Sequence, residues 1–373
     1  MAKSVVGVGD ARAVKRYGAA LVHETSQSSF TMRNLTATDG SLPFHRITDL
    51  ETQKGDQLTV DIYHRLTGGG QYGDVNLIGT EEKLTSDTMT MLINQVEHGV
   101  NTGSVMSKKR TLWNHREIGM MKLREWWGRW YDEMGFIYAA GTRGSQTGDW
   151  LIPTSFDTTV GYSGNACHTA TTARTICPWG AATIGAIDNT DQFDMQELEN
   201  VAHQLEMMAN PPKPCIIDGE EVYILILHPY AAWTLRTGIS NAAEWTQMKK
   251  YGQEGQSDIW KRSLGRFGNI LMFQHSKIPV TLDGAGNVAV CRNLLLGRQA
   301  VAVAHGSASQ AGKGQGQQFD WHEELQNRGR ELVIDTFAIV GHKKVVLKMN
   351  ENASAASEFG VITIPSYGGA TVS

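Results

Sequence analysis

The sequence predicts an α+β fold, and three stretches carry that prediction. Between Gln57 and Leu66 apolar and polar residues alternate, with Leu58, Val60, Ile62 and Leu66 on one face and Thr59, Asp61, Tyr63 and Arg65 on the other, the pattern of a half-buried strand. From Lys108 to Ala140 the residues Met120, Leu123, Trp127, Trp130, Met134 and Ile137 recur every three or four positions, the stripe of a long amphipathic helix. Glu221–Leu227 is apolar on both faces, as a strand covered from both sides must be. Helices and strands follow one another without a regular β-α alternation, so the class is α+β.

The remaining elements follow in chain order. Residues 1 to 50 are rich in Ser, Thr, Gly and Asn and hold no sustained period beyond a short helix at Ala11 to Val22, so they read as an extended arm that needs a neighbouring surface to be ordered. The strand from Gln57 runs into Gly68, Gly69, Gly70 and Gly73, and a second alternating stretch, with Met89, Met91 and Ile93 on one face, returns some way later. A long two-stranded excursion of this kind is marginal alone and implies a partner surface. Asn114 followed by Glu117 resembles a capping box at the start of the long helix, and Gly141 is its expected stop. Residues 141 to 190 read as loops and short strands. A second helix is predicted from Gln192 to Ala209, ended by Pro211 and Pro212, and a third opens at Pro229 and closes at Gly238. Further strands are expected at Ile270 to Phe273, Val288 to Cys291, Glu331 to Val340 and Lys344 to Lys348.

Bulk properties narrow the function. A chain of 373 residues folds as about two domains or as one body with long appendages. Charged residues make up 19%, below the roughly 25% usual for globular chains, which suits a protein whose faces are covered by copies of itself. The net charge of -4 argues against tight, sequence-independent nucleic-acid binding, which needs a basic surface. The N-terminus is the most basic stretch, with Lys3, Arg12, Lys15, Arg16 and Arg33. Cys167, Cys177, Cys215 and Cys291 form no CxxC pair, no secretory signal is seen in the first residues, and no apolar run reaches the roughly 20 residues of a membrane span. The expectation is a soluble protein made in the cytoplasm with reduced thiols and no membrane partner.

Motifs of chemistry fail on inspection. Gly68–Gly73 fits the letters of a dinucleotide fingerprint, but the residues after it do not open a helix that could receive a pyrophosphate, so a turn is expected. Gly306 to Gly314 has one residue too many for a P-loop, and Gly314 stands where a Ser or Thr would ligate magnesium. Asp320, His322, Glu323 and Glu324 are the densest run of metal-ligand types, yet neighbours on a strand point to opposite faces, so a polar exposed segment is expected. Gly161-Tyr162-Ser163-Gly164 misses the nucleophile elbow by one position. No catalytic, cofactor-binding or metal residue is assigned.

From Leu58 to about Gly144 the chain resembles the N4-like family of phage major capsid proteins, whose fold is named after phage HK97. The residues that carry this are Lys54 to Val60, Arg65-Leu66 with Gly70 and Gly73-Asp74, Leu77 with Gly79, Glu81-Glu82 and Leu84, Ile93-Asn94-Gln95, and the Trp-rich helix with Trp127, Trp130, Asp132 and Gly141. Tyr223 to Pro229 with Leu235-Arg236 is similar to that family's later strand-helix unit. The resemblance implies an HK97-like architecture: an N-terminal arm over 1–52, an extended E-loop hairpin over 53–98, a peripheral domain with the spine helix over 99–190, an axial domain over 191–320, and return strands to the peripheral domain with a C-terminal tail over 321–373. It further implies self-assembly into hexamers and pentamers that form an icosahedral shell around double-stranded DNA in the virion, assembled in the host cytoplasm. Portal, scaffold or decoration proteins are the further partners it suggests.

On this reading Leu58, Val60, Ile62, Tyr63, Gly70, Gly73, Glu81, Glu82, Trp127 and Trp130 are expected to make contacts between subunits, with Leu58, Val60 and Ile62 on a neighbour's spine. Arg12, Lys15 and Arg16 are expected to face packaged DNA. Some members of the wider fold cross-link a hairpin Lys to a neighbour's Asn; Lys54 and Lys83 lie in the hairpin, but no Asn is identified and the chemistry is not carried over. The alternatives are an encapsulin-like cellular compartment shell and an oligomeric hydrolase with a site at subunit contacts.

Overall fold

In a computed structural model the described residues are 29–51, 55–110 apart from Arg65, Thr67, Val75, Leu77 and Thr80, then 114–178, 181–237, 263–308, 318–348 and 356–369. The expected helix at Ala11 to Val22, Gly238 and most of the loop after Gly306 lie outside them.

The spine helix spans His115–Ala140. Asn114 caps it, its Oδ1 accepting from the Arg116 amide, and Gly141 ends it in the left-handed region at φ 76° with its amide donating to Ile137 O. Only glycine fits there, since a Cβ would lie 2.0 Å from His168 O. A separate short helix, Val105–Arg110, precedes it. All six residues of the predicted stripe are buried.

That stripe rests on a six-stranded sheet. At its centre lies the strand Glu331–Lys344, paired antiparallel with Asn94–Ser104 on one edge and with Phe319–Gln326 and then Val301–His305 on the other. The strand alternates, and Leu332, Ile334, Thr336, Ala338 and Val340 are its buried face. Trp127 closes over this face, donating Nε1–H to Thr336 Oγ1 at 2.7 Å and meeting the Phe319 ring edge-on. Burying such a large apolar body while satisfying its one polar hydrogen is the arrangement an indole requires.

The C-terminal half of the helix reaches a second, seven-stranded sheet. Phe136, Ile137 and Ala140 share a core with Ile224, Ile226, Leu271, Phe273, Leu294 and Leu296. The opposite face of that sheet is covered by the helices Met195–Met207, through Leu198, Val201 and Leu205, and Pro229–Thr237, through Ala231, Ala232 and Leu235. This explains why Glu220–Leu227 is apolar on both faces. Residues 141 to 190 hold turns and two short 3-10 helices.

Several expectations need correction. Residues 29–51 are no free arm: Phe30–Asn34 is a short helix and Phe44–Ile47 pairs parallel with Val301–Ala304 inside the first sheet. The segment is held by Asp132 of the spine, whose carboxylate accepts from Ser29 Oγ (2.7 Å), Phe30 N (3.0 Å), Thr31 N (2.8 Å) and Thr31 Oγ1 (2.7 Å). Leu35 and Phe44 are buried with it. A polar anchor and a four-residue strand leave no period for a sequence pattern to reveal.

The sheets are also interleaved along the chain more than the expected segments allow. Val301–His305 belongs to the first sheet although it follows strands of the second, and Val361–Tyr367 returns to the second sheet, pairing with Val290–Leu296. Asn94 already pairs with Val340, so the hairpin's own strand ends at Leu92 and not near residue 98. The run Asp320–Glu324 lies in a strand, with Asp320 and Trp321 buried.

His305 and His342 sit in this core, and burial pushes both imidazoles down to about 3. Their unfolded value is about 6.5. Between those limits the unfolded chain takes up protons that the folded chain refuses, so stability contributed above pH 6.5 is lost as the pH falls toward 3. Urea unfolding midpoints at constant ionic strength are expected to drop between pH 7 and pH 5, with a shallower drop for His342→Gln; identical pH slopes for the two proteins would exclude this source.

Candidate assembly surface

The surface singled out by the sequence is the hairpin. Its strands, Gln57–Tyr63 and Ser86–Leu92, pair antiparallel from Gln57 opposite Leu92 to Tyr63 opposite Ser86. Directly opposed residues share a face, so Leu58 and Val60 join Met91 and Met89 in one apolar layer, with Ile62 continuing it. That layer rests on the chain's own Ile47, Ala302, Ala304, Val345 and Leu347, with Phe359 at its margin. Leu58, Val60 and Ile62 are therefore half-buried against their own chain. A two-stranded ribbon must cover its apolar face, and the outer face of the first sheet is the cover at hand.

The root of the hairpin is clamped. Asn165, buried, donates through Nδ2 to Leu92 O at 2.7 Å and accepts at Oδ1 from Leu92 N at 2.9 Å. Gly341 allows the approach, because a Cβ there would stand 2.1 Å from Leu92 O. Ile93 N donates to Asp56 O at 2.9 Å, Lys343 Nζ to Thr90 O at 2.6 Å, and Lys348 N to Asp87 Oδ2 at 2.8 Å. Beside the strands, a cavity of about 280 Å³ separates Ile62, Tyr63 and His64 from Pro211, Pro212 and Phe359.

Beyond the clamp the ribbon leaves the body. Gly70 and Gly73 take φ of 70° and 76° with open space around the Cβ position, which makes the glycine run a turn and no phosphate cradle. Glu81 and Glu82 are exposed on the return, Glu81 Oε2 accepting from Gly79 N at 2.7 Å. Around these polar residues stand large apolar side chains in solvent: Tyr63 at 65% exposure, Leu66 at 68%, Tyr72 at 84%, Ile78 at 80% and Leu84 at 68%. Of these only Tyr63 is among the contacts expected from sequence. The available signal was aromatic and aliphatic residues inside a glycine-rich turn, where turn chemistry favours polar ones.

Trp127 and Trp130, expected at a subunit contact, are enclosed instead by the chain's own core, with Tyr131, Tyr162, His342 and Phe319 around their rings. Arg12, Lys15 and Arg16 lie outside the described residues. A second exposed apolar group, Val105, Met106, Ile118, Met121 and Leu325, belongs to the short helix, the start of the spine and the far end of the first sheet. Among the described residues no three His, Cys, Asp or Glu side chains are grouped to hold a metal, and no helix is long and apolar enough to cross a membrane. Cys167, Cys177, Cys215 and Cys291 are all free thiols, and burial raises each of them above the usual thiol range.

Comparison with known proteins finds phage capsids. The model of a family described as phage capsid protein matches residues 5–370. The capsid structure of Ralstonia phage GP4 is similar over 99% of both chains at 30% identity, with a TM-score of 0.80. The capsid asymmetric unit of cyanophage Pam1 matches 90% of this chain and 91% of its own at 16% identity and TM-score 0.65. The head structure of Helicobacter pylori bacteriophage KHP40 covers 91% and 90% at 11% identity and TM-score 0.63. No curated protein sequence matches. The mixed helix-and-sheet architecture is accordingly of the HK97-like capsid type.

Asn165→Ala removes both bonds to the Leu92 backbone, a loss of about 1–3 kcal/mol by the usual price of unmade buried hydrogen bonds. Amide exchange across Ser86–Leu92 is expected to accelerate while Glu220–Leu227 stays protected; unchanged exchange in the hairpin would show that the clamp does not hold it.

Proposed function

The chain belongs to the phage capsid protein family, and from that premise we propose that the exposed hairpin tip is the hand by which one copy grips the next. The protein is a structural major capsid protein that associates with itself into a shell. The observation that carries the finer reading is the contrast within one hairpin: its root is covered and clamped by its own chain, while Leu66, Tyr72, Ile78 and Leu84 at its tip have no cover. Clustered exposed apolar side chains of this size mark a surface made for a partner.

The proposed receiving surface is the apolar end of a neighbouring body, where Val105, Met106, Ile118 and Met121 are exposed. A heterologous contact of hairpin on body repeats around a ring, and closed rings of six and five tile an icosahedral shell. Double-stranded DNA is the proposed content, held by confinement more than by attraction, since the chain carries a net charge of -4. Assembly in the host cytoplasm and contacts with portal or scaffold proteins belong to the same proposal. A purely structural role, with no catalysis, accords with the family.

Leu66→Ser combined with Tyr72→Ser and Ile78→Ser alters only exposed side chains, for which stability changes are usually within about 0.5 kcal/mol. Circular dichroism and the thermal midpoint are expected to stay near those of the parent, whereas the yield of sedimenting shells collapses. Shells forming at parental yield would refute the role given to the tip.

A further inference from the structure

Under the spine helix, on the inner face of the first sheet, lies a group of buried polar atoms without partners. Arg46 Nε, Tyr131 Oη, His305 Nδ1 and Gln318 Oε1 are buried and have no hydrogen-bond partner among the described residues. Tyr131 is 2% exposed, His305 1% and Gln318 4%. The four are neighbours. Arg46 pairs with Val303 in the parallel strand, so its side chain and that of His305, two residues on, point to the same face. The Tyr131 and His305 rings are 6.0 Å apart between centroids. Arg46 Nη2 and Gln318 Nε2 both donate to one oxygen, Glu51 Oε1, at 2.9 and 3.0 Å. The Arg46 charge acts on the phenol of Tyr131 and the imidazole of His305 alike.

Each buried polar group left unmatched costs about 1–3 kcal/mol, and native interiors leave few of them. Four at one place point to a ligand. Its chemistry is set by the atoms that would hold it: Arg46 Nε can only donate and Gln318 Oε1 can only accept, while the Tyr131 hydroxyl and a neutral His305 can do either. The ligand must therefore accept and donate at once. A metal cation cannot accept from Arg46, and an anion cannot donate to Gln318; the Arg46 charge is in any case already met by Glu51.

We propose that this site holds ordered water, one or two molecules, accepting from Arg46 and Tyr131 and donating to His305 and Gln318. Such water ties together four parts distant in sequence: the strand Phe44–Ile47, the spine helix, the end of Val301–His305 and the start of Phe319–Gln326. It thereby completes the attachment of residues 29–51 that Asp132 begins. Interior water with two to four polar partners is a structural component and is costly to remove.

Two measurements test this. A reconstruction of the wild-type assembled particle, at a resolution where ordered waters are visible, is expected to show a peak within about 2.7–3.2 Å of Tyr131 Oη and His305 Nδ1. No peak, or the four side chains turned to bond one another or other residues, would overturn the proposal. Tyr131→Phe separates the same cases by stability: it lowers the thermal midpoint if the hydroxyl holds water, and leaves it equal or raises it if the hydroxyl is merely unsatisfied. Should that variant fail to fold, the wild-type density alone decides.

Discussion

The first sheet and the hairpin that leaves it are built out from the strand Glu331–Lys344, bonded along both edges and roofed by the spine helix. Its pairing with Asn94–Ser104 fixes where the hairpin leaves the body, because Asn94 opposes Val340 and the chain turns outward immediately before it. Its pairing with Val301–His305 supplies the outer surface, Ala302 and Ala304, on which the hairpin root rests. The Trp127 to Thr336 bond locks helix to strand at the middle of this contact. The base of the ribbon is thus a strand that pairs with three others.

The parts legible in sequence were those whose packing imposes a period. The spine helix, its glycine stop and its buried stripe follow from 3.6-residue spacing, and Glu220–Leu227 from burial on both sides. The hairpin strands followed from alternation, down to which residues share a face. What the sequence hid has a physical cause in each case. Phe44–Ile47 is too short to show alternation, and its anchor is made by Ser29 and Thr31, residues that look like loop. Val301–His305 and Val361–Tyr367 are not among the strands expected from sequence, and nothing in a linear pattern says which of two sheets a strand joins. Asp320 looks exposed by composition but is buried in the strand Phe319–Gln326, opposite Phe337.

The candidate surface shows the same division. An apolar face on an excursion calls for a partner, but alternation cannot tell whether the partner is the same copy or another. Leu58, Val60 and Ile62 are covered within the chain, whereas the large side chains of the tip are exposed in it. Trp127 and Trp130 illustrate the opposite error, since residue types favoured at interfaces are equally favoured in cores. Burial distinguishes the root of the hairpin from its tip.

The most direct test of this account is a reconstruction of particles formed by the intact chain, read at the hairpin tip. The account predicts closed shells in which Leu66, Tyr72 and Ile78 are buried against the body of an adjacent copy while Leu58 and Val60 keep their contacts with Met89, Met91 and Leu347 of their own. Particles in which the tip stands free in solvent, or a chain that forms only small oligomers, would contradict it.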